Sequence, residues 1–216
     1  MLRRGARPAA VALLVAAAWP ASASAEDFLL YLDAGLSIPA APPELPDFWN
    51  PGLSLGGGVG VRLSPFWEIA TDVHYQRFPA DERAQIDGLL LSGPGGVLPI
   101  QSIDGRDAEA TAILTEVRVH PGRAGARVDP FLAFGAGYFQ ISTTDATVTP
   151  APSSGVDPIT IVGDSDTALA AAIGGGLQIH AGTGWRVVLD AIYTIGFTEQ
   201  SSTEFIPLRV GVAREL

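Results

Sequence analysis

His74, His120 and His180 are the side chains of this chain best suited to move a proton near neutral pH. A triad needs a nucleophile within hydrogen-bond reach of such a base. The chain has no Cys, and nothing in the sequence brings a histidine to the candidate nucleophiles Ser142 and Ser165. His74 and His180 lack the third ligand motif that a metal pair would need. Asp164 and Asp166 stand at alternate positions, without the glycine and closing glutamate of an EF-hand loop. No cofactor, resident metal or catalytic constellation is expected. What remains is a set of charges, each lodged in an apolar run: Asp33, Arg62, Glu68, Asp72, His74, Glu116, Arg118, His120, Arg186, Asp190 and Arg209.

The runs that carry them alternate. From 185 to 197 every odd residue is apolar, while even positions hold Arg186, Asp190, Thr194 and Gly196. On a strand this puts a purely apolar face against a charged one. The pattern recurs at Trp67, Ile69, Val73 and Tyr75 against Glu68, Asp72, His74 and Gln76. It recurs again at Leu53, Leu55, Val59, Val61 and Leu63 against Ser54, glycines 56, 58 and 60, and Arg62. In 130–142 the outward set is Leu132, Phe134, Ala136 and Tyr138, which turns Phe131 and Phe139 inward.

Eight such segments are expected: 28–38, 52–63, 66–78, 110–120, 130–142, 167–181, 184–198 and 203–213. Most are longer than the usual five or six residues and suit a tilted membrane strand of about 9 to 11. Short links alternate with long ones rich in Pro, Gly, Asp and Ser. Trp67 to Tyr75 and Trp185 to Tyr193 are each eight steps apart, about 20 Å along a membrane normal for tilted strands, and Phe197 extends the second span. These five aromatics are candidates for interfacial girdles. Together the features predict an all-β, eight-stranded, antiparallel up-and-down transmembrane barrel.

Residues 1–25 read as a secretory signal peptide: Arg3, Arg4 and Arg7, a short apolar stretch, then an Ala-x-Ala site. The expected barrel domain is 26–216. Without those three arginines the chain keeps ten basic residues, all Arg, against 23 acidic ones, a formal charge of −13. So acidic a chain is not expected to bind nucleic acid.

The chain resembles the small eight-stranded outer-membrane barrels, OmpA/OmpX-like members of the porin-family β-barrel domains. The resemblance is carried by residues 129–138, Asp-Pro-Phe-Leu-Ala-Phe-Gly-Ala-Gly-Tyr; by 172–178, Ala-Ile-Gly-Gly-Gly-Leu-Gln; and by the closing run 205–212. It departs at the end, where such chains carry an aromatic and this one carries Leu216. It implies an outer-membrane monomer in contact with lipid and lipopolysaccharide, inserted by the barrel-assembly machinery. Its termini would be periplasmic and its long loops extracellular.

A barrel of eight strands is just wide enough for side chains to fill. Charges of both signs inside it should pair, since an unpaired buried charge costs several kcal/mol. The expected role is therefore a filled barrel with a structural or surface-contact task. The alternatives are a small gated channel for ions or small apolar solutes, a lipid A-modifying enzyme, and a soluble lipocalin-like carrier. The deacylases among such barrels would require a serine two residues from a histidine, and His74, His120 and His180 all lack it. The long loops are acidic, which suits solvation or divalent cations beside lipopolysaccharide. Apolar pieces near 88–92 and 97–100 could form a lid over the barrel mouth.

Overall fold

The computed structural model describes residues 28–89, 92–93, 96–97, 99–122, 126–198 and 202–216. The expected signal peptide lies outside them. In chain order the elements are β1 (Phe28–Ala41), α1 (Glu44–Phe48), β2 (Gly52–Ser64), β3 (Trp67–Phe78), α2 (Glu82–Gly88), β4 (Ser92–Gly93), β5 (Gly96–Val97) and β6 (Ile100–Gly105). There follow β7 (Ala108–Val119), β8 (Val128–Thr143), β9 (Ala146–Pro150), β10 (Ile159–Ile161), β11 (Ser165–His180), β12 (Trp185–Phe197) and β13 (Ser202–Glu215).

Eight strands close into a barrel in the order β1-β13-β12-β11-β8-β7-β3-β2, every neighbour antiparallel. They are the eight expected segments, with ends shifted by a few residues. β1 closes on β13 from Leu29↔Glu215 to Ile38↔Ile206. Closure leaves no strand edge unpaired, which a lipid-spanning sheet requires.

The burial pattern is that of a soluble protein turned inside out. Leu32 (61% exposed), Leu36, Val73, Leu132, Phe134 and Val210 stand on the outside. Glu68 (0%), Asp72, Glu116, Arg118 and Arg209 are buried within. Water would not tolerate so broad an apolar exterior, but lipid would.

The two ends differ. At the turn end, Pro65 and Phe66 join β2 to β3, and residues 181–184 join β11 to β12. Gly182 and Gly184 sit there at φ of 131° and 71°, a region that side chains rarely adopt. At the loop end the links are long and partly folded. β10, β9 and β6 form a three-stranded sheet that joins two separate loops. Ile103, Ala146 and Val148 are its small core, packed by Ile86, Leu89, Ile100 and Ile161. Asp81 caps α2, its Oδ1 accepting from the Ala84 amide at 3.0 Å. Asp107 staples the neck of this region. Its carboxylate accepts from Arg77 Nε and Nη2 at 3.0 and 2.7 Å and from the Ala80 amide at 3.0 Å.

The interior has two zones. The loop half carries an apolar layer beside the buried Ser37, Ser54 and Gln76: Phe78, Phe139 and Phe205 are fully buried, with ring centroids 6.0 Å (Phe78–Phe205) and 5.8 Å (Phe139–Phe205) apart. A Cβ at Gly196 would lie 2.3 Å from the Phe139 ring, so glycine there makes room for it. The turn half is charged.

Candidate functional site

Three clusters fill the charged half. The first centres on Arg118, on β7. Its guanidinium donates to Asp72 at 2.6 Å, Glu116 at 3.0 Å and Glu68 at 3.3 Å, all of them buried. The Arg118 Cζ lies 4.7 Å from the Tyr31 ring centroid and 5.6 Å from that of Phe131. The Tyr31 hydroxyl donates to Glu68 at 2.6 Å.

The second cluster lies nearer the turns. His120 meets Asp129 at 3.0 Å and Glu68 at 3.5 Å. Arg62 reaches Gln178 at 3.1 Å, Asp129 at 3.4 Å and Glu68 at 3.5 Å. Arg186 donates to Gln178 at 2.8 Å and pairs with Glu215. Glu68 thus ties the two clusters together.

The third cluster joins Arg209 to Asp190 at 2.7 Å, to Asp33 at 3.9 Å and to His74 Nε2 at 2.6 Å. The same Arg209 nitrogen lies 2.9 Å from His74 Nδ1. His74 Nδ1 also faces Asp33 at 3.6 Å. The glycines of β2 make this arrangement fit. A Cβ at Gly56 would lie 2.0 Å from His74 Nδ1, and one at Gly58 2.1 Å from Asp72 Oδ1.

Seven carboxylates (Asp33, Glu68, Asp72, Glu116, Asp129, Asp190 and Glu215) thus face four guanidinium groups and two imidazoles. The structure places every charged residue singled out in the sequence inside the barrel, in one of these clusters. It adds Tyr31, Asp129, Gln178 and Glu215. Tyr31 shares parity with Asp33, and Glu215 with Arg209, so that signal was available. Asp129 precedes the expected start of its strand, and Gln178 sits in a run too rich in Ala and Gly to set a register.

Ser142 pairs with Ser165 at the loop end of β8 and β11, whereas His120 and His180 lie at the turn end. Among the described residues no three His, Cys, Asp or Glu come together as a metal group. Asp164 and Asp166 each accept from the amide of the next residue.

Residues 9–214 match the family described as outer membrane protein beta-barrel domain. The chain belongs to this family. The protein is therefore an outer-membrane β-barrel, and its exposed apolar face meets lipid. Comparison with curated proteins gives no match. Among solved structures it is similar to Neisserial surface protein A of Neisseria, with 12% identity over 88% of this chain and 97% of that one and a TM-score of 0.58. It is also similar to the attachment invasion locus protein Ail of Yersinia pestis (13% identity, 86% and 97% covered, TM-score 0.47). A third is the N-terminal barrel of Pseudomonas aeruginosa OprF (14% identity, 86% and 96% covered, TM-score 0.43). At these identities the likeness concerns the fold.

The aromatics of this outer-membrane barrel divide between its ends. Trp67 and Trp185 are half exposed on the outer face at the turn end. Arg214 stacks over the Trp185 ring at 5.1 Å. Tyr75, Tyr193 and Phe197 lie towards the loop end, and the Tyr193 hydroxyl donates to Glu204.

Proposed function

We propose that the protein is a side-chain-filled outer-membrane barrel that anchors a folded loop platform for envelope integrity and surface contact. Residues 1–25 are removed on export, the termini and short turns face the periplasm, and the platform faces outward. Trp67 and Trp185 form one interfacial girdle; Tyr75, Tyr193 and Phe197 form the other. The protein works as a monomer, reaches the membrane through the barrel-assembly machinery, and contacts lipopolysaccharide through its acidic loops and divalent cations.

The observation that carries this reading is the way the two interior zones complement each other. Arg118 and its three carboxylates fill the turn half, and Phe78, Phe139 and Phe205 fill the loop half. The channel alternative would need the phenylalanine layer to part. No described nucleophile is joined to a histidine, which leaves the enzyme alternative without a constellation.

Conductance in planar bilayers tests the reading. The unaltered protein is expected to give no discrete openings, and reproducible single-channel steps would overturn it. Protease treatment of intact cells tests the orientation. Cleavage is expected within 144–164, and a tag after Leu216 should stay protected.

A further inference from the structure

A cavity of about 160 Å³ lies in the loop platform, lined by Phe48, Trp49, Gln85, Gly88, Leu89 and Arg106. Each wall is fixed. Phe48 and Trp49 stand edge to face, centroids 6.2 Å apart at 89°. The indole Nε1 donates to the Arg106 carbonyl at 2.7 Å, which pins Trp49. A Cβ at Gly88 would come within 2.7 Å of the Phe48 ring, so only glycine admits Phe48 to its place.

One polar group of this lining is unsatisfied. Gln85 is 4% exposed, and its Nε2 donates to the Phe48 carbonyl at 3.3 Å. That bond sets the amide's orientation, because an oxygen could not donate there. The buried Oε1 is left without a partner. An acceptor so stranded carries a desolvation penalty until a donor meets it. Arg106 forms no ion pair with any described residue. It also sits at φ 64°, directly after Gly105 at 95°. A side chain at such a φ carries strain that glycine would avoid. The chain nonetheless places a cation there.

We infer that this cavity binds a small organic anion, an aromatic carboxylate bearing a hydroxyl. The carboxylate meets the Arg106 guanidinium, the ring packs on Phe48, Trp49 and Leu89, and the hydroxyl donates to Gln85 Oε1. The volume is about half the lower bound of drug-sized pockets, which suits a ligand on the order of ten non-hydrogen atoms. The inference rests on the cavity alone and holds whichever way the barrel faces.

The probe is 4-hydroxybenzoate, titrated by calorimetry and ligand-observed NMR into the refolded barrel. Heat-modifiable gel migration verifies the fold of each variant. Saturable one-site binding is expected. Benzoate lacks the donor and leaves the buried Gln85 Oε1 unmet, while 4-hydroxybenzyl alcohol lacks the anion and loses the charge-assisted bond to Arg106, so each should bind about tenfold more weakly or worse. Arg106→Gly relieves the φ strain and keeps the carbonyl that holds Trp49. It should weaken 4-hydroxybenzoate by about tenfold and leave the alcohol unchanged. Absence of saturable binding to folded protein would overturn the inference. So would equal affinity for the three probes, or binding indifferent to Arg106→Gly.

Discussion

Replacing Arg118 by Met removes the one cation that faces three buried carboxylates, at 2.6, 3.0 and 3.3 Å from Asp72, Glu116 and Glu68. Breaking a buried pair by deleting one partner costs about 3–5 kcal/mol, because the orphaned charge remains. The barrel can escape part of this by protonating a carboxylate. From an ordinary pKa near 4, at pH 7, that proton costs about 4 kcal/mol, at 1.36 kcal/mol per unit. The escape is therefore no cheaper than the damage, and the expected loss at pH 7 is about 3–5 kcal/mol. Acid supplies the proton freely, so the deficit should shrink towards pH 4. A second route to the same relief is Glu116→Gln in the Arg118→Met background, which should recover part of the loss at pH 7. The assay is urea unfolding in lipid vesicles, read by heat-modifiable migration at pH 7, 5.5 and 4. A loss below about 1 kcal/mol at pH 7, typical of a solvated surface pair, would refute the argument. A deficit indifferent to pH and to Glu116→Gln would refute it as well.

Three more perturbations test other parts of the structure. Leu189→Arg places a cation on the outer face midway along β12, between Leu177 and Val210; it should cost about 2–4 kcal/mol in vesicle unfolding, and a mild effect would count against lipid contact there. Phe139→Ala empties a fully buried site packed on Phe205 and should cost about 3–5 kcal/mol by the same assay. Asp107 feels burial, which pushes its pKa up, but the Ala80 amide and the Arg77 guanidinium outweigh it and hold the pKa below the ordinary carboxylate value. A depressed folded pKa means the staple's contribution is present above the unfolded value and is lost as pH falls through the folded one, below about pH 4. Hydrogen exchange across 79–107 should therefore be faster in Asp107→Asn than in the unaltered protein at pH 7, and the gap should narrow as the carboxylate is protonated in acid.

The sequence by itself determined the strands and their two faces. A side chain alternates with period two, so Trp67, Ile69, Val73 and Tyr75 fall opposite Glu68, Asp72, His74 and Gln76 whatever the strand packs against. Glycines at 56 and 58 showed only that room was left beside them, for bulky neighbouring side chains or for a small cavity. The tertiary structure decided which, because His74 and Asp72 reach that room across a strand pair whose register depends on both partners. Phe78 and Phe205 lie 127 positions apart in the chain, and the layer they form with Phe139 exists only once β1 has closed on β13. The loop sheet has the same character. β6 and β9 come from different loops, and their short polar alternation carries no signal until the barrel brings the two together. The Arg106 cavity is the extreme case, with walls from three segments whose residues were individually unremarkable. Local pattern fixes what each strand exposes on its two faces; closure of the chain on itself fixes which side chains meet inside.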